Sequence, residues 1–185
     1  MCETEARALA RLGGHPHVLT AAIVGHSDGE PWFGWVVTDR AAGGSLASRV
    51  GVPVSQVLLW SAQLADALAH THANGVVHGD VTPSNVLVDA DDLVLLGDFG
   101  SAVLLGDAPG VRHRAGHTPA YAAPERRRNA PATPAGDVYG LAATMLAVCG
   151  DLRSLPGGPR RLLRRCLGEP GSRPDAATLA HRLTR

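Results

Sequence analysis

Residues 76–87 read VVHGDVTPSNVL, and residues 97–100 read GDFG. In the first stretch Asp80 and Asn85 stand five positions apart, and in the second Asp98 follows 18 positions after Asp80. Phosphoryl transfer requires a carboxylate that orients the attacking hydroxyl, and oxygen ligands for the Mg²⁺ ions that neutralise the phosphates. The spacing therefore predicts Asp80 as the orienting carboxylate, and Asn85 and Asp98 as the ligands of Mg²⁺.

The same three polar residues also have a purely structural interpretation. Asp and Asn favour turns and helix caps because their short side chains hydrogen-bond to nearby backbone groups. Such roles alone would not require the distances that separate Asp80, Asn85 and Asp98 along the chain. The matched spacing therefore favours the phosphoryl-transfer interpretation.

The composition limits the class of protein. A chain of 185 residues with 45% hydrophobic and 18% charged residues can bury a sizeable core, which excludes a disordered chain and a coiled coil. The net charge of zero gives no indication of a nucleic-acid partner. The longest apolar run, Val138 to Cys149, is too short to span a bilayer. Widely spaced cysteines, odd in number, indicate a reducing compartment, so we expect a cytoplasmic protein.

The two stretches resemble the catalytic loop and the Asp-Phe-Gly motif of the protein kinase family. Other stretches resemble further kinase motifs, and they occur in the family's order along the chain. They are helix C with Glu5, the gatekeeper and hinge at Thr38 and Asp39, Gly43-Gly44-Ser45-Leu46 at the start of helix D, the loop with Thr118, Ala123-Pro124-Glu125, Asp137 and Arg173. The resemblance covers nearly the whole chain and depends on several independent motifs.

The resemblance implies an enzyme that uses ATP and Mg²⁺ to phosphorylate serine or threonine hydroxyls of a protein substrate. In that interpretation Thr118 positions the substrate loop and belongs to the catalytic group with Asp80, Asn85 and Asp98. The residues at nucleotide-binding positions of the family are Glu5, Thr38, Asp39 and Leu87. The residues at positions that support the site are His78, Phe99, Glu125, Asp137 and Arg173.

The implied fold is α+β, with a mostly helical kinase C-lobe and a remnant N-lobe made of helix C and two antiparallel strands. The implied boundaries are residues 1–38 for the N-lobe remnant, 39–47 for the hinge and the start of helix D, and 48–185 for the C-lobe with its catalytic loop, activation segment and closing helices.

Periodicity and capping signals predict where the individual elements lie. The expected helices are Glu3–Leu12, Ser55–His72 with Ser55 as its cap, a helix from Thr133 to Val148, Pro159–Leu167 and Pro174–Leu183. The expected strands are Val18–Val24, Trp32–Val37, Val76–Val77, Val86–Val88 and Leu93–Leu96. The turn between the first two strands is expected at residues 26–29, and residues 101–120 are expected to form a long surface loop.

Several residues of the family are missing. The chain has 17 basic residues, all arginine, so it lacks both the lysine that would pair with Glu5 and the catalytic-loop lysine, which is Thr82 here. No Gly-rich loop occurs, and the first residues match the interior of helix C, so the sequence resembles a kinase truncated there. Gly79 replaces the arginine of His-Arg-Asp, which argues against activation-loop phosphorylation as a switch. Because cationic groups accelerate phosphoryl transfer by about 10³-fold or more, we expect impaired activity.

Two other functions stay open. One is a pseudokinase or docking module, which the absence of lysine favours. The other is a small-molecule phosphotransferase of the aminoglycoside or choline kinase type, because those enzymes also contain His-Gly-Asp followed by an asparagine and a later metal-binding aspartate. Ala-Pro-Glu, Asp137 and Arg173 are not expected in that second class, so it ranks third.

The missing strands also predict an exposed surface. Without a third strand, Trp32–Val37 would leave an unpaired sheet edge, and such edges recruit partners or aggregate. We therefore expect either self-association or a partner chain that completes the N-lobe sheet, with no nucleic-acid partner and no membrane span. The abundance of Ala, Gly, Pro and Arg without Lys suggests a GC-rich bacterial source.

Overall fold

Helices dominate the architecture, and the strands are short and antiparallel. The computed structural model describes residues 2–26, 34–106 and 116–184. Its helices are α1 (Cys2–Leu12), α2 (Val54–Ala73), α3 (Pro124–Arg127), α4 (Pro134–Cys149), α5 (Gly157–Cys166) and α6 (Ala176–Leu183). Its strands are β1 (Ala21–His26), β2 (Gly34–Thr38), β3 (Val76–Val77), β4 (Val86–Val88), β5 (Val94–Leu96) and β6 (Val103–Leu104). The predicted α+β class is confirmed.

Helix α2 forms the centre of the helical part and contacts both α4 and α6. Its two ends differ in how well the sequence predicts them. Asn74 ends the helix and Gly75 adopts a φ of 68°, as the Asn-Gly pair predicts. The predicted cap at Ser55 is wrong, because the helix begins at Val54 directly after Pro53 and no side chain caps it. Ser55 therefore lies inside the first turn.

The strands in the described part of the chain form three antiparallel pairs. Strand β1 pairs with β2 with a register shift between Ala21 and Ile23, and β4 pairs with β5. Strand β3 pairs with β6 through Val76 opposite Leu104, so β6 lies inside the segment that was expected to be only loop. A strand of two residues is too short to show periodicity, which is why the sequence pattern does not indicate it. The turn expected at residues 26–29 lies largely outside the described residues.

Helix α4 begins where the sequence predicts. The Thr133 hydroxyl oxygen accepts a hydrogen bond from the Gly136 N–H (3.1 Å), and Pro134 takes the first helical position. The helix ends at Gly150, whose φ is 78°. Apolar side chains cover most of its circumference, so α4 is buried among its neighbours.

One hydrophobic cluster connects the first helix to the last. It includes Leu12 of α1, Leu64 of α2, Phe99, Met145 of α4 and Leu179 of α6. The catalytic-loop region thus lies above a continuous core. The lobe boundaries at residues 38 and 48 remain a prediction. Within the described residues, no helix combines the length and the apolar character that crossing a membrane requires.

Candidate active site

The buried carboxylate of Asp137 on α4 fixes the path of the loop that follows β3. Its Oδ2 accepts hydrogen bonds from the His78 N–H (2.8 Å) and from Nε2 of His72 (2.9 Å), and its Oδ1 accepts one from the Gly79 N–H (2.8 Å). Only 3% of Asp137 is exposed, so these hydrogen bonds form away from solvent. Asp137 therefore lies where the sequence predicts a supporting residue.

His78 joins the two stretches that carry the predicted catalytic residues. Its ring is fully buried and packs edge-on against Phe99, with 4.9 Å between the ring centroids. Nδ1 accepts a hydrogen bond from the Asp80 N–H (3.3 Å), so the proton lies on Nε2, which donates to the Gly97 carbonyl (2.9 Å). The positions of Asp80 and Asp98 are therefore linked through one buried imidazole.

Gly79 occupies a position that accepts no other residue without strain. Its φ is +82°, and a Cβ atom there would lie 2.7 Å from the Ser101 carbonyl oxygen. A side chain would thus suffer both the left-handed backbone penalty and a collision with backbone. An arginine at this position would therefore require the Ser101 carbonyl to move.

Asp80 is held by the segment that contains Thr118. Its Oδ1 accepts a hydrogen bond from the Thr118 N–H (2.7 Å), and its Oδ2 accepts one from the Thr118 hydroxyl (3.1 Å). Asn85 is tied to the same residue, because its Nδ2 donates to the Asp80 carbonyl (2.9 Å). The Asn85 carbonyl in turn accepts the Gly97 N–H (2.9 Å), next to Asp98. Hydrogen bonds thus join Thr118, Asp80 and Asn85 directly and tie them to the backbone beside Asp98.

Asp98 has the backbone strain that is common at functional positions. Its φ of 57° and ψ of 73° place it in the left-handed region, and its Oδ1 accepts a hydrogen bond from the Gly100 N–H (3.2 Å). The carboxylate is exposed. Nδ2 of Asn85 already donates a hydrogen bond to the Asp80 carbonyl, so Oδ1 of Asn85 is the side-chain atom that can coordinate a metal. An exposed carboxylate and a free amide oxygen are hard oxygen donors, and they fit Mg²⁺. Among the described residues, no three His, Cys, Asp or Glu side chains form a metal-binding group.

Glu5 on α1 lies beside the Asp-Phe-Gly motif. Burial raises the pKa of the Glu5 carboxyl above its ordinary value of 4.5, and the negative charge of Asp98 raises this pKa further. A backbone hydrogen bond from Phe99 and the nearby His78 act in the opposite direction. The structure therefore brings the predicted helix C glutamate to the site, and no arginine or lysine is among the groups that shift its pKa.

The other predicted nucleotide-binding residues are only partly brought together. Leu87 on β4 is half-buried and lies against Gly97, where a Cβ atom would meet its side chain at 3.6 Å. Thr38 ends β2 and Asp39 follows it exposed to solvent. Between these two residues and Leu87, the described part of the chain shows no hydrogen bond or strand pairing. Leu87 therefore lies next to Asp98. The segment that follows Asp39 reaches β4, because Ser45 forms a bridge with Leu87 and the Gly43 N–H donates to the Val88 carbonyl (2.9 Å).

Glu125 and Arg173, two of the predicted supporting residues, form an ion pair. The guanidinium donates from Nη1 to Oε1 (2.5 Å) and from Nη2 to Oε2 (3.1 Å), and it also donates to the carbonyls of Ala135 and Gly168. The hydrogen bond from Arg173 holds the pKa of the Glu125 carboxyl below its ordinary value of 4.5, although burial opposes this shift. A two-pronged pair of this kind anchors the end of the activation segment to the last part of the chain.

Two features of the site are not indicated by the sequence. His72 is one, because its bond to Asp137 joins residues 65 positions apart. The other is a small pocket between the catalytic loop and the segment near Tyr121, with a volume of about 380 Å³ including its open mouth, lined by Gly79, Asp80 and Ala132 among others. In the sequence, a histidine near the end of a helix only weakly indicates the hydrogen bond between His72 and Asp137. Small residues such as Ala132 do not indicate the pocket.

Comparison with known proteins shows that this chain is similar to protein kinases. The family model described as "Protein kinase domain" matches residues 1–156. The serine/threonine-protein kinase PknK of Mycobacterium bovis is 36% identical over 146 residues, which is 78% of this chain and 13% of that protein. The serine/threonine-protein kinase PkaA of Streptomyces coelicolor is 38% identical over 160 residues, covering 71% of this chain and 29% of the relative.

A plant relative is also similar to most of this chain and is much longer than it. CBL-interacting protein kinase 4 of Oryza sativa subsp. japonica is 43% identical over 135 residues, covering 67% of this chain and 29% of its own length. The chain therefore spans less than a third of the length of these relatives. The family match includes the catalytic loop, the Asp-Phe-Gly motif and Ala-Pro-Glu, all of which the structure connects through Asp137, His78 and Arg173, and so the chain belongs to the protein kinase family.

Proposed function

We propose that this chain carries the phosphoryl-transfer site of a serine/threonine protein kinase, which uses ATP and Mg²⁺ to phosphorylate protein hydroxyls. The observation that supports this most strongly is the linked arrangement of Asp80, Asn85 and Asp98. Thr118 holds the carboxylate of Asp80, and Asn85 links Asp80 to the backbone next to Asp98. Turn residues with only local roles would not need these contacts between separate stretches of chain.

Asp80 has the capacity to orient a substrate hydroxyl. An ionised carboxylate offers about four acceptor positions, and Thr118 uses two of them. The remaining positions can accept the hydrogen of an incoming hydroxyl, so that the oxygen points towards the phosphate, and the proton can transfer to a carboxylate oxygen of Asp80. Thr118 keeps the carboxylate in one orientation while this occurs, so it acts as a positioning residue.

Asn85 and Asp98 are the residues that would hold Mg²⁺ at this site. When bound, the metal neutralises the charge of the phosphates and of the transferring group. Leu87 would cover one face of the adenine, Thr38 and Asp39 would contact its edge, and Glu5 would stand at the back of the site. For Leu87 and Glu5 these roles are supported by the family's pattern and by the positions described above, and for Thr38 and Asp39 by the family's pattern alone.

The missing cations limit the rate that we expect. Thr82 takes the place of the catalytic-loop lysine and is buried, with 3% of its surface exposed, and the chain has no lysine that could approach from elsewhere. A preorganised cation at the transferring phosphoryl group is worth about 10³-fold in rate. We therefore propose a slow kinase, or one that receives its cations from outside this chain.

A pseudokinase or docking role is the alternative, and the buried Thr82 is the observation that favours it. A small-molecule phosphotransferase remains the third proposal, but the Glu125–Arg173 pair speaks for a protein kinase. We also propose that the protein is cytoplasmic and comes from a bacterium. A partner chain that completes the sheet of β1 and β2 is proposed as well.

The test is phosphate transfer from γ-labelled ATP to a generic protein substrate, compared between the wild type, Asp80→Asn and the control Asp91→Asn. Asp91 is an exposed aspartate outside the site, so it controls for the loss of one charge. We expect transfer to fall about 100-fold or more in Asp80→Asn, because the hydroxyl loses its orienting base, and to be unchanged in Asp91→Asn. Equal transfer by all three proteins would overturn the proposal.

A second readout separates the kinase from the docking module. Mg-ATP that binds the folded state must raise the melting temperature. We expect this rise in the wild type and a smaller one in Asp98→Asn, because Asp98 would hold the metal. A wild type with no stabilisation and no transfer would favour the docking module instead.

A further inference from the structure

A groove on the helical part of the molecule, formed by α2, α5 and α6, belongs to no part of the proposed active site. Its floor is aliphatic and consists of Leu58, Leu162 and Leu183, and its rim carries Arg161, Arg165 and Arg182. The groove has a volume of about 1,210 Å³ including its open mouth. None of the residues that line the candidate active site lines this groove.

The rim is positively charged although the chain as a whole is neutral. Residues 152–168 contain five arginines and no aspartate or glutamate, while the whole chain has 17 basic and 17 acidic residues. Arg161 and Arg182 make no ion pair with any described residue. Arg165 is fixed in place, because its Nε donates to the Ser172 carbonyl (2.6 Å), and its Nη groups remain free to bind other acceptors. The rim therefore offers several guanidinium groups that have no acidic partner within the described chain.

We propose that this groove docks an acidic segment of another protein, with an aliphatic side chain seated on the leucine floor and Asp or Glu side chains paired to the arginine rim. The charge complementarity supports this occupant, because guanidinium groups bind carboxylates through paired hydrogen bonds. An apolar floor beneath a polar rim is also the usual anatomy of a protein-binding surface.

The shape and lining argue against two other occupants. Leu162 is buried and the other two leucines are half-buried at the bottom of the groove, so no large apolar side chain projects far enough to insert into a bilayer. The lining contains no aromatic side chain on which a nucleic-acid base could stack.

The test measures binding of a short fluorescein-labelled peptide that carries two leucines among glutamates, by fluorescence anisotropy. Control peptides replace the leucines by serine, or the glutamates by glutamine. The protein variants are Arg161→Glu and Arg182→Glu on the rim, with Arg153→Glu as the matched control. Arg153 is exposed and lies outside the groove. Arg153→Glu changes the net charge of the protein by the same amount as the rim substitutions.

We expect either rim substitution to weaken binding about tenfold, and Arg153→Glu to leave it unchanged. Both control peptides should bind more weakly than the parent peptide. If a charge-reversed variant fails to melt cooperatively, Arg161→Gln and Arg182→Gln replace it, with Arg153→Gln as control. Equal affinity across the protein variants would overturn the proposal, because the peptide would then bind elsewhere. Equal affinity of the serine peptide would also overturn it, since charge alone would explain binding.

Two further outcomes would assign the surface to a different occupant. Binding to vesicles that contain phosphatidylserine, without binding of the peptide, would identify a membrane surface and overturn the proposal. Self-association that disappears in Arg161→Glu, without peptide binding, would identify a second copy of the chain and overturn it as well. Neither result depends on kinase activity, so this test is independent of the proposed phosphoryl transfer.

Discussion

The catalytic loop and the β1–β2 pair differ in how many groups hold them in place. The buried Asp137 carboxylate accepts hydrogen bonds from the backbone of the loop, and the His78 ring ties the loop to the Gly97 carbonyl. Strand β2 pairs with β1 alone among the described strands, and Trp35 and Val37 each expose 46% of their surface. One region is restrained by buried hydrogen bonds, whereas the other leaves apolar surface in contact with water.

This difference separates two parts of phosphoryl transfer. In the proposed function, orientation of the hydroxyl and of the metal would depend on Asp80, Asn85 and Asp98, and contacts within this chain restrain these residues. Stabilisation of the phosphates would depend on the two family lysines, and this chain contains no lysine. The geometry of the loop is held without lysine, through contacts made by Asp137, His78 and Thr118.

The largest expected effect is the loss of Asp137. In Asp137→Ala the backbone N–H groups of His78 and Gly79 lose their acceptor, as does His72. Leaving several buried donors unpaired should lower the free energy of unfolding by about 3–5 kcal/mol, measured by urea denaturation. The exposed control Asp91→Ala should change it by less than about 0.5 kcal/mol. Similar small changes in both variants would show that the loop does not depend on the carboxylate.

The next effect concerns Gly79. Gly79→Ala should destabilise by about 3 kcal/mol, because the left-handed backbone penalty and the collision with the Ser101 carbonyl add together. Gly51→Ala is the matched control, since Gly51 also has a positive φ (+69°) but nothing lies within 4 Å of its Cβ position. Gly51→Ala should lower the free energy of unfolding by only about 1 kcal/mol. Equal losses in the two variants would mean that Ser101 moves away without penalty.

The ion pair of Glu125 gives a smaller, pH-dependent effect. The pKa of Glu125 is lowered in the folded state, so its stabilisation is present above its ordinary value of 4.5 and is lost as pH falls through the folded pKa. Glu125→Gln should therefore lower the free energy of unfolding by about 1–2 kcal/mol at pH 7. The difference from the wild type should shrink steadily below pH 4.5, as urea denaturation at several pH values can show. A difference independent of pH would contradict this assignment.

The sequence predicts the local features of the site better than its long-range contacts. Asp80, Asn85 and Asp98 are proposed as site residues from their spacing along the chain, and the start of α4 is predicted correctly because Thr133 and Pro134 act on adjacent backbone. Such signals need only a few neighbouring residues. They are informative wherever a function or a helix end is determined locally.

The contacts that complete the site are different. The hydrogen bonds between Thr118 and Asp80 join residues 38 positions apart, and the collision at Gly79 depends on where Ser101 passes. Neither periodicity nor capping contains information on how distant segments approach each other. The predicted cap at Ser55 was wrong for a related reason, since Pro53 determines the start of α2 before any side-chain cap is needed.

The smallest change in stability, and the sharpest test of the less restrained region, concerns Val37 on β2. Because this side chain is exposed on a strand with an available edge, we expect the wild type to self-associate through it. Val37→Lys should reduce self-association in sedimentation velocity and change the free energy of unfolding by less than about 0.5 kcal/mol. Val50→Lys is the control, because Val50 is even more exposed (74%) but lies outside the strands. A wild type that sediments as a monomer, or equal effects of both substitutions, would show that exposed apolar area does not make this strand a site of association.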